Sequence, residues 1–359
     1  MTKSVNRQQA LRAFSLTSPA LSRQTYIPAY THFLLADGWV SAYNDITAIS
    51  VNEDLGLDLC LPGDLIVKTL NSFTGESVSI AEGQDAGIVV SHGRSKIKVP
   101  TLPAEDFPLK WPSLKSDQYL ELDDAMLRAI QLCLPGCGTN PQIPAQMGVT
   151  IAPKGETQLA FYSTDNYTVT RCLVDSSADM PTDDGEAVVM PLAFCEQVLA
   201  LAKAYPDEVL RLYAFPGSLV LKVGAKAKLM TRLLVELVPL DFESVIRANQ
   251  PKTGKPAAIP PGWESALSRI SLVVASEADK AFTCGGDDGG LRLFAQSSLG
   301  EVEEIVDFDG PEPEKDVLLD PGLVLRASKE AGVMQFGARA LLFSKTDGKF
   351  IHLVAYSSR

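Results

Sequence analysis

Residues 91–108 decide the fold, and they run Ser91-His92-Gly93-Arg94-Ser95-Lys96-Ile97-Lys98-Val99-Pro100-Thr101-Leu102-Pro103-Ala104-Glu105-Asp106-Phe107-Pro108. Polar and apolar side chains alternate from Lys96 to Val99, which predicts a short strand with one buried face. Two prolines closely follow this strand and interrupt its pattern. The phrase Pro108-Leu109-Lys110-Trp111-Pro112 then predicts a linker, so this stretch closes a domain.

A similar unit occurs three times along the chain. Pro62, Pro191 and Pro321 stand at near-equal spacing, each at the start of a helical pattern, where proline is tolerated. Short alternating strands separated by Gly, Asp and Pro turns follow each of these helices, which is typical of antiparallel sheet. A second helical segment precedes each unit. The predicted helices are 7–18, 63–73, 123–134, 192–205, 263–276 and 322–331.

These repeats predict an α+β protein with three tandem similar domains, each with two helices packed on antiparallel sheet. We place the domains at residues 1–112, 113–248 and 249–359, with Pro108–Pro112 and Asn249–Pro256 as linkers. Three similar modules in tandem indicate a ring or an arc. They are not typical of an enzyme built around one pocket.

The string from Gly93 to Pro108 closely resembles the end of the first domain of bacterial replicative sliding clamps, the beta subunits of DNA polymerase III. The resemblance continues through residues 164–169, 189–191, 231–242, 266–277 and 291–304. It implies a head-to-tail homodimeric ring whose helices surround double-stranded DNA. It also implies a non-catalytic processivity factor, loaded by a clamp-loader ATPase complex, that tethers a replicative DNA polymerase and other proteins carrying clamp-binding peptides.

The charge distribution bears on DNA binding. The chain has 32 Lys and Arg against 44 Asp and Glu, and a net charge of −12 alone argues against phosphate contacts. The predicted helices nevertheless hold more basic than acidic residues, so the acidic excess lies outside them. Ordinary solvated helix faces remain the alternative for each position. The predicted DNA-binding residues are Arg7, Arg12, Lys68, Arg128, Lys203, Arg269, Arg326 and Lys329, with Arg23 added because it matches a DNA-touching position of the family.

The resemblance also implies an apolar peptide-binding pocket between the second and third domains. By motif, its residues here are Thr164, Tyr167, Val169, Pro239, Val245, Leu341, Val354 and Tyr356. The alternative for each is ordinary core or strand packing. The chain departs from the family at Asn166-Tyr167-Thr168, where the family has Gly-His-Arg, and in its tail Ala355-Tyr356-Ser357-Ser358-Arg359. We therefore expect a conserved fold with a changed peptide preference.

Ring closure is expected to pair the edge strand of the first domain with the third domain of the partner chain, because exposed strand edges need covering. By the resemblance, the interface residues are Lys96, Ile97, Val99, Val273 and Val274, with Ile97 and Val99 facing the two valines of the partner chain.

Other classes of protein are disfavoured. No apolar run is long enough for a membrane helix, the N-terminus is not a secretory signal, and cysteines within apolar runs favour buried free thiols in a reducing cytoplasm. Cys133 and Cys137 have no second Cys or His pair to complete a zinc site. The run Cys284–Gly290 lacks a phosphate-loop lysine and favours a hairpin turn. We expect no catalysis, metal or cofactor.

A second function stays open at this stage. The altered pocket phrase and tail are compatible with a clamp-fold scaffold or decoy that captures clamp-binding peptides without supporting a polymerase. The same departures indicate a divergent member of the family and leave a phage or plasmid origin open.

Overall fold

The computed structural model describes residues 2–23, 25–83, 87–114, 118–182, 185–233, 239–251, 255–276 and 280–357. Within them, the helices are α1 (Arg7–Thr17), α2 (Gly63–Ser72), α3 (Asp124–Cys133), α4 (Leu192–Ala204), α5 (Phe242–Asn249), α6 (Trp263–Val274) and α7 (Pro321–Ser328). The strands up to α4 are β1 (Thr2–Asn6), β2 (His32–Ala36), β3 (Trp39–Tyr43), β4 (Thr47–Asn52), β5 (Leu59–Pro62), β6 (Ser77–Glu82), β7 (Gly87–His92), β8 (Ser95–Pro100), β9 (Leu120–Leu122), β10 (Gly148–Pro153), β11 (Gln158–Thr164), β12 (Thr168–Asp175) and β13 (Val188–Pro191). The later strands are β14 (Leu210–Phe215), β15 (Ser218–Val223), β16 (Ala227–Arg232), β17 (Ala257–Ala258), β18 (Phe282–Asp287), β19 (Gly290–Ser297), β20 (Gly300–Asp307), β21 (Val317–Leu319), β22 (Val333–Phe336), β23 (Ala340–Ser344) and β24 (Phe350–Ala355).

The six predicted helices are confirmed, with ends that differ by at most three residues. Their start signals work as expected. Pro321 opens α7, and the Asp320 side chain accepts hydrogen bonds from the next two free backbone N–H groups. At α1 the Asn6 side chain does the same for Gln9. At α1 and α7 a side-chain cap therefore adds to the apolar stripe, whereas α2 and α6 begin without a side-chain cap.

One helix was not predicted. Helix α5 begins after Asp241, whose carboxylate accepts a hydrogen bond from the Ser244 N–H, and it ends at Asn249, where the sequence predicts the start of a linker. It has 8 residues and, unlike the equally short α7, it does not begin at one of the repeated prolines. Three positions in that linker (252–254), Leu234 of a predicted strand and the tail residues Ser358 and Arg359 lie outside the described residues.

The chain forms two compact units. The first contains residues 1–123, 178–186 and 193–236. It holds an eight-stranded antiparallel sheet, in the order β5-β2-β3-β4-β16-β15-β14-β9, and a four-stranded sheet, β1-β6-β7-β8. Because β4 pairs with β16, with Val51 opposite Ala227, one sheet continues from the first predicted domain into the second.

The second unit contains residues 124–177, 187–192 and 237–359. Its eight-stranded antiparallel sheet has the order β13-β10-β11-β12-β24-β23-β22-β17, and its four-stranded sheet the order β20-β19-β18-β21. Here β12 pairs with β24, with Thr168 opposite Val354. The α+β class and the antiparallel sheets are confirmed. The compact units divide the second predicted domain between them, and the three-domain boundaries stay a prediction.

Two smaller predictions can be checked directly. All six cysteines are buried and none forms a disulfide, as the apolar runs indicated. The run Cys284–Gly290 is the hairpin between β18 and β19, turning at Asp288 and Gly289 with positive φ. In the described part of the chain, no helix has the length and apolar character needed to cross a membrane.

Candidate functional site

Four of the nine predicted DNA-binding side chains are exposed and available. Lys203 lies in the last turn of α4, Lys329 follows α7, and Arg23 lies in the loop after α1. Lys68 on α2 approaches only Asp64, at 3.9 Å, with both side chains highly exposed. Pairs of this kind contribute little free energy, so the Lys68 ammonium is effectively available.

The other five, all arginines, make contacts within the chain. The Arg7 Nε donates to the carbonyl of Gly75 at 2.7 Å, and Arg269 makes a two-pronged contact with Glu304 at 2.5 and 2.8 Å. Arg12, Arg128 and Arg326 bind carbonyl or carboxylate oxygens near the ends of other helices. The sequence grouped eight of them by charge on the predicted helices and Arg23 by resemblance, whereas their partners separate them into two sets.

The predicted peptide-site residues lie in the second unit, and their exposure differs widely. The Tyr167 side chain is 68% exposed on the turn between β11 and β12. That turn is fixed by the Asp165 carboxylate, which accepts from the backbone N–H groups of Tyr167 and Thr168 at 3.0 and 2.6 Å. Asn166 adopts a φ of 74° there, a conformation that asparagine tolerates. The turn therefore presents Tyr167 on a rigid base.

The two deepest predicted pocket residues belong to the core. Leu341 on β23 and Val354 on β24 lie opposite each other, and neither has measurable exposure. Both pack in the cluster that contains Trp263. Thr164 is also buried, and its hydroxyl donates to the Thr168 carbonyl at 2.7 Å. These side chains hold the strands behind the site, in agreement with the packing alternative.

The tail is bound to the rest of the unit. The Ala355 N–H donates to the Tyr167 carbonyl at 2.8 Å, and the Tyr356 hydroxyl donates to the Gly337 carbonyl at 2.9 Å. Burial raises the pKa of Tyr356 above its usual range, so its hydroxyl stays protonated as a donor. Tyr356 is thus a half-buried support of the site, while Tyr167 is its exposed aromatic residue.

Helix α5 adds further apolar exposure that sequence reasoning covered only in part. Val245, one of the predicted residues, is exposed on it, Leu240 just before it is exposed too, and Pro239 is half-buried. The same helix buries Phe242 and Ile246 against the sheet. With Val169 half-buried on β12, the accessible apolar residues of this region are Tyr167, Val169, Pro239, Leu240 and Val245.

The predicted interface residues also differ in how far they are exposed. Lys96 is exposed on β8 and Ile97 is half-buried, whereas Val99 is 1% exposed and Val274 is 2% exposed. The last two side chains lie in the cores of their own units. Val273 is half-buried, and its carbonyl accepts from the Ser297 hydroxyl at 2.7 Å. Substitution of Val99 or Val274 would therefore test folding rather than chain pairing.

Two edge strands carry opposite charge. In the described residues β8 is paired by ladder hydrogen bonds only to β7, and β20 only to β19. Strand β8 exposes Lys96 and Lys98, whereas β20 carries four acidic residues and exposes Ile305. Strand β20 was not among the residues that the sequence assigned to the interface. Its acidic residues interspersed with Val302 and Ile305 are the sequence signal of this charged edge strand. The acidic residues are Glu301, Glu303, Glu304 and Asp307.

The described residues contain no group of three or more His, Cys, Asp or Glu side chains placed to hold a metal ion. The buried His352 bonds to the Thr170 hydroxyl through Nδ1, and burial together with the charge of Arg326 lowers its pKa to about 3. His352 is therefore a neutral core residue at physiological pH.

Comparisons with known proteins agree with this architecture. No protein-family model matches the chain. It is 22% identical over 338 residues to the beta sliding clamp of Caulobacter vibrioides, covering 86% of each, and 24% identical over 246 residues to that of Proteus mirabilis, covering 67% of this chain and 64% of the relative.

Solved structures match over the whole chain. A putative DNA polymerase III beta subunit from Eubacterium rectale superposes with a TM-score of 0.85 at 16% identity, covering 99% of both chains. The beta subunit from Streptococcus pyogenes and a griselimycin-bound sliding clamp from Pseudomonas aeruginosa each superpose with a TM-score of 0.83 at 16% identity, covering 100% of both chains. The chain has the sliding-clamp fold and resembles bacterial beta clamps in sequence.

Proposed function

We propose that this protein is a DNA sliding clamp: two copies form a ring around double-stranded DNA and tether a replicative polymerase and other replication or repair proteins. The observation that carries the proposal is the match of fold over 99% of the chain, joined to sequence similarity with beta sliding clamps over 86% of it. The role is mechanical and needs no catalytic group. We place it in the cytoplasm, where buried thiols outside disulfides are normal.

The exposed cations support contact with a duplex. Lys68, Lys203 and Lys329 lie on or beside α2, α4 and α7, the second helix of each sequence repeat. Long hydrated ammonium groups bind phosphates without reading bases, so they hold a duplex while allowing it to slide. The acidic excess elsewhere disfavours DNA at other surfaces.

The charged edge strands support ring closure. In a head-to-tail pair, the β8 edge of one chain would meet the β20 edge of the other. Lys96 and Lys98 would then face the acidic residues around Glu301. Opposite charges across paired strands fix register and exclude wrong partners. Such pairing would also cover two strand edges that are otherwise open to aggregation.

The exposed apolar residues around Tyr167 support a peptide site. A partner peptide would place an apolar anchor against Tyr167, Val169 and Val245, each available at the surface of the second unit. One or two buried anchors, worth about 1.5–3 kcal/mol each, suffice for a tether that can exchange partners. Griselimycin, which the Pseudomonas aeruginosa clamp binds, is a suitable probe of this site.

The deciding experiment loads labelled protein onto primed circular DNA with a cognate clamp loader and polymerase. We expect the protein to remain on closed circles and to leave once the DNA is linearised, because a ring is held by topology. The triple variant Lys68→Glu, Lys203→Glu, Lys329→Glu should load less. Equal retention on circular and linear DNA would contradict the proposal.

The second candidate is a clamp-fold scaffold that binds peptides without serving a polymerase. It is favoured by Tyr167, an exposed aromatic residue at the departure from the family phrase. Griselimycin titration against the Tyr167→Ala variant tests the site, with Tyr26→Ala, at another exposed tyrosine, as the control. Ligand binding that depends on Tyr167, together with failure to load on circular DNA, would establish the scaffold instead.

A further inference from the structure

Arg12 and Arg128 occupy equivalent positions in the first helices of two repeats. Helix α1 buries Ala10, Ala13, Phe14 and Thr17, and α3 buries Met126, Ala129, Ile130 and Cys133 with the same spacing. Arg12 lies two residues after Ala10, the first buried residue of α1, and Arg128 lies two residues after Met126, the first buried residue of α3. Both therefore project from the same face of their helix, at its boundary with solvent.

Arg12 binds the end of α4. Its Nη2 donates to the carbonyl of Ala204, the last residue of that helix, at 2.5 Å, and its guanidinium carbon lies 5.2 Å from the centre of the Tyr205 ring. The last carbonyls of a helix lack partners within the helix and carry its negative dipole end. A guanidinium there satisfies an acceptor and stacks on an aromatic face at the same time.

Arg128 makes the corresponding contact at the end of α7. Its Nη2 donates at 2.6 Å to the carboxylate of Glu330, two residues beyond the helix. In return, Nη1 of Arg326 on α7 donates at 2.7 Å to the carbonyl of Pro135, just beyond α3. The α1–α4 contact joins the first predicted domain to the second, and the α3–α7 contact joins the second to the third.

The third repeat lacks this arginine. Helix α6 buries Trp263, Ala266, Leu267 and Ile270 at the same spacing, which places Ser265 at the equivalent position. Ser268, one turn further, lies on the same face, and both serines are exposed and uncharged. Arg269 does not substitute, because it binds Glu304 on β20, within the same predicted domain.

We propose that Arg12 and Arg128 are positioning residues that hold the two domain joints within each chain, and that the joint between chains, formed by the third repeat, has no such contact. The second half of this statement rests on the proposed ring; the first half does not. It assigns Arg12 and Arg128 to the protein's own helix ends instead of to phosphates.

Hydrogen exchange, measured together with the retention of the protein on DNA, distinguishes a contact to a helix end from a contact to phosphate. In Arg12→Ala, amides of residues 201–205 should exchange several-fold faster, and in Arg128→Ala those of residues 326–330 should do so. The salt dependence of DNA retention should keep its slope in both. Lys203→Ala is the matched variant: it should leave exchange unchanged and reduce the slope by about one unit for each copy in the ring, as loss of one phosphate contact per chain does. Unchanged exchange with a reduced slope in the arginine variants would overturn the assignment.

The chain–chain joint is tested by supplying the missing arginine. Ser265→Arg or Ser268→Arg should lower the dimer dissociation constant about two- to fivefold in sedimentation, the range expected for a new surface contact. An unchanged or weaker dimer in both variants would overturn the second half of the proposal. A wild-type chain that stays monomeric at all concentrations would instead overturn the ring itself, and with it this half, while the exchange results still decide the roles of Arg12 and Arg128.

Discussion

The Tyr162 hydroxyl donates a hydrogen bond of 2.8 Å to the Glu243 carboxylate, and this bond joins β11 to the first turn of α5. Lys154 reaches the same carboxylate at 2.8 Å and Arg171 at 3.3 Å. Beside these polar contacts, the Tyr162 ring stacks on Phe242 with centroids 4.9 Å apart. One tyrosine thus fixes both the polar and the apolar contacts that seat α5 on the sheet.

Replacing Glu243 with Gln should loosen α5. The variant keeps the shape but removes the charge that three donors share, so we expect a loss of about 1–2 kcal/mol in the free energy of unfolding, since the site is partly solvated. Denaturant titration measures this loss. Glu264→Gln, an exposed site in the first turn of α6, is the control and should change stability by less than about 0.5 kcal/mol.

Comparing wild type with Glu243→Gln at different pH values tests whether the charge of Glu243 is responsible for the stabilisation. Partial burial alone would raise the pKa of Glu243, but hydrogen bonds from Lys154 and Tyr162 and the charge of Arg171 hold it below its usual range. A carboxyl whose pKa is lower in the folded state stabilises above its unfolded pKa of about 4.3, and this contribution is lost as the pH falls through the folded value. The stability difference between wild type and Glu243→Gln should therefore be present at pH 7 and shrink below pH 4. A difference that is constant with pH would contradict the role of the charge.

Gly337 should tolerate no side chain. An added Cβ would lie 2.7 Å from the Asn249 carbonyl oxygen, at the end of α5, and 3.0 Å from the Ala340 carbonyl oxygen. Because both obstacles are backbone atoms, Gly337→Ala should cost about 1–3 kcal/mol and speed hydrogen exchange at the end of α5. Gly332→Ala is the control, since nothing lies within 4 Å of its added Cβ. Equal stability of the two variants would contradict the close approach.

The elements that sequence could predict are those with a strong local signal. The helices α1, α2, α3, α4, α6 and α7 recur at the repeat spacing and carry an apolar stripe, so the sequence predicts each of them to within three residues at each end. Helix α5 has 8 residues, and its position depends on Tyr162, 81 residues away in the chain. No window of sequence around α5 contains that contact.

The candidate sites show the same limit. Motif likeness assigned Leu341 and Val354 to a peptide pocket, but they face each other within a core that only the β23–β24 register defines. Likewise, the charge of Arg12 and Arg128 is plain in the sequence, whereas their partners Ala204 and Glu330 are set by the fold. Residue type predicted which side chains could bind DNA or a peptide. Tertiary contacts determine which of these side chains are already engaged within the chain.

The charges on β8 and β20 predict a compensating pair of variants. Lys96→Glu with Lys98→Glu should lower dimer affinity at least tenfold, because acidic edges would then face each other. Glu301→Lys with Asp307→Lys should do the same, and mixing the two variant proteins should restore an interface that pairs the altered edges. Sedimentation of each protein and of the mixture gives the result.

Glu301 and Asp307 are chosen because Glu303 and Glu304 already pair with Arg292 and Arg269 in the same chain. The control is Lys345→Glu, a reversal at an exposed site in the turn between β23 and β24. If each variant weakens the dimer and the mixture fails to recover, the two strands do not meet.

His352 predicts a pH dependence of stability between about 6.5 and 3. Its side chain is 4% exposed, and burial and the nearby Arg326 charge lower its folded pKa to about 3, while the unfolded value is about 6.5. Between these values the unfolded chain binds a proton that the folded chain does not, so stability must fall as the pH falls through that window.

The limiting slope of the free energy of unfolding for one proton is about 1.4 kcal/mol per pH unit. His352→Gln can still bond to Thr170 and should reduce this slope by up to one proton, measured by denaturant titration from pH 7 to pH 4. Equal slopes in wild type and His352→Gln would show that the buried imidazole is not held neutral.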